Sequence, residues 1–125
     1  MVDNVPPQLE ELVLSDNPEI GYGFITTLNT TVFLEREFKL RTLIIENCNV
    51  GNKGAEFLGD SLRLKHCKLT YLDISKNKIG EKGAAYIAQG LKINKTLRIL
   101  FMHWNNLGPQ GGIHIAEALV SNYSL

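Results

Sequence analysis

Apolar and polar positions follow one short phrase that returns four times along this chain. Lines beginning at Leu9, Leu40, Leu69 and Leu97 each place apolar residues at their first, fourth and sixth positions. The ninth position is Asn17, Cys48, Asn77 or Asn105, and an aliphatic residue and a glycine follow soon after. The line starts are 31, 29 and 28 residues apart. Within a line the alternation predicts a short strand, with Leu72 and Ile74 pointing inward and Tyr71, Asp73 and Ser75 pointing out. The second half of each unit changes period. "GAEFLGDSL", "GAAYIAQGL" and "GGIHIAEAL" pair Leu58 with Leu62, Ile87 with Leu91 and Ile115 with Leu119, which is helical spacing. The first unit is looser, with extra residues between Pro18 and Gly23.

The phrase L-x-x-L-x-(L/I/M)-x-x-(N/C), repeated at this interval, resembles the leucine-rich repeat. The 28–29-residue spacing is similar to that of the ribonuclease-inhibitor-like subclass. That subclass occurs in ribonuclease inhibitor, in the sensing arms of NOD-like receptors and in Ran GTPase-activating proteins. The resemblance implies an α/β leucine-rich repeat solenoid of about four repeats, spanning 9–39, 40–68, 69–96 and 97–124 of one domain, 1–125. Parallel strands stack about 4.8 Å apart and helices about 8–10 Å. Strands therefore line the concave side and helices the convex side. The ninth-position Asn supplies hydrogen bonds to turn backbone that burial would otherwise leave unpaired. In the family, Cys48 is an accepted small substitute there.

The repeat also gives "NVGNKGAE" and its echo "KIGEKGAA" an architectural reading. Gly51, Gly80 and Gly108 suit tight turns, and Gly54, Gly83 and Gly111 suit close helix packing. The rival, a phosphate cradle around Lys53 or Lys82, lacks the Ser or Thr that a P-loop places after its lysine. Cys48, His66 and Cys67 lack the paired spacing of a zinc site. His103 and His114 have no evident catalytic companion, so no cofactor, metal or catalytic residue is expected. Of the sequons at Asn29, Asn94 and Asn122, the last two occupy the same slot in successive units and are read as parts of the repeat.

Composition and charge adjust this picture at three points. No apolar run is long enough to cross a bilayer and no basic–apolar leader is present, so an intracellular, cytoplasmic setting is expected. Two cysteines fit that reducing setting. Residues 1–40 carry seven acids and two bases, net −5, and residues 41–125 carry six acids and eleven bases, net +5. Leu125 falls one interval after Leu97, and "DNVPPQL" reads as the tail of a preceding unit. The expectation is a piece of a longer array whose uncapped ends can self-associate.

Function is expected on the outward strand positions. One column runs Glu11, Thr42, Tyr71, Ile99; the next Val13, Ile44, Asp73, Phe101; the third Ser15, Glu46, Ser75, His103; and beside them Asp16, Asn47, Lys76, Trp104. The set Tyr71, Asp73, Phe101, His103, Trp104, Ile99, Glu46 and Ile44 is the candidate protein-binding face, since aromatics bury much area at little rotamer cost. A following unit covering Phe101 and Trp104 is the competing reading. What the resemblance implies first is a non-enzymatic scaffold for a partner protein. GTPase activation of the Ran type is the enzymatic alternative. It wants an arginine on the strand-to-helix rim, and Arg41 and Arg98 lie at strand starts instead. Nucleic-acid binding through the basic C-terminal section is the third reading. Lys76, Lys78, Lys82, Lys92 and Lys95 are expected on different faces, which weighs against it.

Overall fold

The computed structural model describes residues 8–31 and 39–125. Asp3, Glu35, Arg36, Glu37 and most of "DNVPPQL" lie outside the described residues, so the N-terminal charge and tail readings are only partly covered. Strands β1 (Glu11–Val13), β2 (Thr42–Ile44), β3 (Tyr71–Asp73) and β4 (Ile99–Phe101) alternate with α1 (Gly21–Thr31), α2 (Gly51–Arg63), α3 (Glu81–Ile93) and α4 (Gly108–Ser121). The strands form one parallel sheet in chain order. Each helix packs on the next, α1 on α2, α2 on α3 and α3 on α4. This is a leucine-rich repeat solenoid, strands on one side and helices on the other.

The predicted interior line is present. Leu12, Leu43, Leu72 and Leu100 are register partners across the sheet. Leu43, Ile45, Leu72 and Ile74 are fully buried, whereas Leu12 and Leu100, in the outermost strands, are only partly covered. Leu58, Leu62, Ile87 and Leu91 close the core from the helix side. The last unit departs from this pattern. Gly111 and Ala118, not Leu119, are the residues buried on α4, and among the described residues α4 packs against α3 alone, leaving Leu119 exposed.

The asparagine positions bind turn to turn. The Asn77 carboxamide oxygen accepts from Cys48 N–H (2.9 Å) and Val50 N–H (3.2 Å), while its nitrogen donates to Ile45 and Ser75 carbonyls. Asn105 repeats the arrangement on Asn77 N–H and Ile79 N–H. Cys48 fills the slot with its thiol donating to the Leu14 carbonyl at 3.0 Å. A second ladder, in the helix-to-strand turns, joins the other edge. Asn94 accepts from Thr96 and Leu97 N–H and donates to the Leu62 carbonyl, and Asn122 does the same one unit on, towards Leu91. Two of the sequons are thus turn devices.

Gly54, Gly83 and Gly111 sit where a side chain would strike a neighbour. Gly51 and Gly108 adopt left-handed backbone at φ 66° and 68°. Gly80 does not, with φ −101°, although Lys78 and its counterpart Asn49 are both left-handed two residues earlier, at φ 58° and 57°. The closest helix approach was not foreseen. A Cβ on Gly59 would meet the Tyr86 backbone carbonyl, and one on Gly90 would lie 2.6 Å from the Gly59 carbonyl, so α2 and α3 touch through bare backbone.

Candidate functional site

The outer sheet face carries the columns the repeat predicts. Thr42 pairs with Tyr71 and Tyr71 with Ile99, while Ile44 pairs with Asp73 and Asp73 with Phe101. Tyr71 and Phe101 have ring centroids 5.6 Å apart, and Phe101 meets His103 edge-on at 6.2 Å. Three aromatic rings thus form one continuous row. Its strands are held by parallel pairing below, so the rings are displayed on backbone that is already ordered. Ile99 and Phe101 remain exposed at 45% and 41%.

Polar groups flank the row. The His103 Nδ1 and Ser75 hydroxyl are 3.0 Å apart. Glu46 and the Lys76 ammonium form a half-exposed pair at 3.8 Å, and Ile44 lies beside them, partly covered. One Asp73 oxygen accepts the Ser75 N–H, which fixes the carboxylate. Ser75 keeps its place in the outward column but is fully buried, because its short side chain sits beside the longer Glu46 and His103 and its hydroxyl meets the His103 ring.

Trp104 stands apart from the row. It is 78% exposed and lines an open recess of about 640 Å³ on the strand-to-helix rim with Lys76, Lys78 and Asn105. Its backbone is left-handed at φ 57°, as are Asp16, Asn47 and Lys76 at the same slot in earlier units. Asp and Asn adopt that conformation readily, but a bulky indole does so at a cost. The aromatic set read from the sequence is therefore two neighbouring features, a ring row and a rim indole.

The phosphate-cradle alternative meets a physical obstacle. The Gly80 and Gly83 N–H groups that a phosphate would use already donate to the Asn52 carboxamide oxygen, at 2.8 and 3.0 Å. Asn52 thereby caps α3 from the preceding unit. Among the described residues, no cluster of three or more His, Cys, Asp or Glu side chains could hold a metal. Both thiols are buried, and burial pushes the Cys67 thiol up to about 11. Burial likewise raises Cys48, partly offset by the hydrogen bond from Asn17. Among the described residues no helix is long and apolar enough to cross a membrane.

Lys76 and Lys78 lie apart from Lys92 and Lys95, as the sequence suggested. Lys76 and Lys78 line the rim recess beside Trp104. Lys92 and Lys95 lie on the opposite rim, joined there by Arg63, Lys65 and Arg98, which sequence reading did not group with them. Only knowledge of which turns share an edge could have found this.

A family model described as Leucine Rich repeat matches residues 38–59, 65–88 and 94–116. A solved structure described as Leiomodin-1 Actin-Binding Site 2 (ABS2) is similar over 99% of this chain and 71% of that chain, with TM-score 0.85. Sequence identity between the two is 21%, so the likeness is one of fold.

Proposed function

The chain belongs to the leucine-rich repeat family, and on that premise we propose that it is a non-enzymatic scaffold that docks a partner protein on its sheet face. The observation that carries this reading is the contiguous row Tyr71–Phe101–His103 on a preformed sheet, with Phe101 and His103 exposed and Tyr71 partly covered. Rigid backbone lowers the ordering cost of association, and aromatic anchors supply most of the binding energy in such interfaces. Asp73 and the Glu46–Lys76 pair give the rim of that face its polarity, and Ile44 and Ile99 extend its apolar part. Trp104 extends the contact onto the strand-to-helix edge. The four units 9–39, 40–68, 69–96 and 97–124 act as one binding domain. The 28–29-residue spacing and the helices of 13 and 14 residues in the later units support placement in the ribonuclease-inhibitor-like subclass.

Actin is the first named protein to test, because the similar solved structure is described as an actin-binding site. The experiment is affinity capture from a cell lysate with the wild-type chain and a Phe101→Ala/Trp104→Ala variant side by side, with purified actin titrated in parallel. The scaffold reading expects a protein retained by the wild type and largely lost by the folded variant. Equal capture by both would remove the sheet face from the account.

A further inference from the structure

We propose that the helix-to-strand rim of the later units is a second interaction surface, one that takes an extended acidic segment of a partner protein. Segments 61–70 and 91–98 contain six bases, Arg63, Lys65, Lys68, Lys92, Lys95 and Arg98, and no Asp or Glu. Both segments are helix-to-strand connections, so the fold brings them to one edge. Five of the six are exposed and Lys68 is partly covered. Two depressions run along this edge. One, of about 440 Å³, is bordered by Lys92, Lys95, Arg98 and Tyr123. The other, of about 200 Å³, is bordered by Arg63, Lys65, Ile93 and Lys95. They share Asn94 and Lys95, which makes them one groove crossing two turns of the solenoid. At the slot that Arg98 fills, the second unit has Arg41 with Glu10 within 3.9 Å.

The spacing selects the ligand. Successive turns lie between about 4.8 Å apart at the strands and about 8–10 Å at the helices. In an extended peptide, residues i and i+2 are roughly 6.6 Å apart and face the same way. Acidic residues at alternate positions therefore meet cations from successive turns, and the arginines can take carboxylates bidentately. Ile93 and Tyr123, exposed at 56% and 95%, lie among the cations and offer apolar contact for the residues between. A single-stranded nucleic acid would want a stacking ring for successive bases, and Tyr123 is the sole aromatic bordering the groove among the described residues.

The test is fluorescence anisotropy with a labelled dodecapeptide of alternating glutamate and threonine. Its controls are the glutamine version of the peptide and an oligouridylate of equal length. The proposal expects salt-sensitive binding of the glutamate peptide, weakened roughly tenfold or more by Lys95→Glu/Arg98→Glu. Should that variant misfold by circular dichroism, Lys95→Gln/Arg98→Gln carries the same expectation. Phe101→Ala must leave peptide binding unchanged, which separates this surface from the sheet face. No binding, equal binding of the glutamine peptide, indifference to the substitutions, or tighter binding of the oligouridylate would each overturn it.

Discussion

Asn77 reaches back one turn of the solenoid to Cys48, accepting its backbone N–H at 2.9 Å from a fully buried position. The same carboxamide serves Val50 N–H and the Ile45 carbonyl, so one side chain satisfies backbone groups of the neighbouring unit. Replacing it leaves buried donors and an acceptor without partners, at about 1–3 kcal/mol for each group. Asn77→Ala is expected to lower the urea-unfolding free energy by about 3 kcal/mol or more. Asn17→Ala should cost less, because Asn17 is only partly buried and its recorded side-chain bonds reach carbonyls of its own turn.

Glycines on this fold divide by what surrounds them. Gly90→Ala drives a methyl into the Gly59 carbonyl of the facing helix, and rigid backbone cannot give way cheaply. A loss of about 1–3 kcal/mol is expected from overpacking. Gly112→Ala, in the exposed part of α4 with nothing within 4 Å, should instead stabilise by about 0.5–1 kcal/mol. Thermal melts of the two variants should move in opposite directions.

Much of this was legible beforehand, and the reason is the period. A fixed interval of leucines sets the register of every strand, so Leu43 beneath Leu72 and Ile44 beside Asp73 follow from counting alone. The asparagine role followed from the need to pair buried turn backbone. The burial of Ser75 does not follow from its outward register, because it depends on the longer Glu46 and His103 side chains in the neighbouring units. The Gly59–Gly90 contact depends on how helices cross, which one helix's pattern does not encode. The basic groove was missed because Arg63 and Arg98 are distant in sequence and share only an edge of the fold.

The two thiols give a pH-dependent prediction. Cys67 ionises near 11 in the folded chain because burial disfavours its thiolate, whereas the unfolded chain ionises in the ordinary thiol range near 9. Its raised folded value means the stability it contributes is complete below about pH 9 and is lost as pH climbs towards 11. Cys67→Ala should flatten the fall of melting temperature over that window. A disulfide-exchange reagent at pH 8 should label neither thiol quickly in the native chain and both after denaturation, since both are buried.

Trp104 holds left-handed backbone at φ 57°, where the second unit has Asn47 at φ 55°. Trp104→Asn relieves part of a cost of about 1–2 kcal/mol for such backbone, so a small rise in melting temperature is expected. Partner affinity should fall in the same variant. A stability gain with unchanged affinity would show that the indole takes no part in docking.

The most direct test of the account is chemical-shift mapping of the isotope-labelled chain, titrated with the partner that affinity capture identifies or with actin. The account predicts the largest shifts at Ile44, Tyr71, Asp73, Phe101 and His103, with the outer surfaces of α2 and α3 little changed. Shifts concentrated on those helices, with the aromatic row silent, would contradict it.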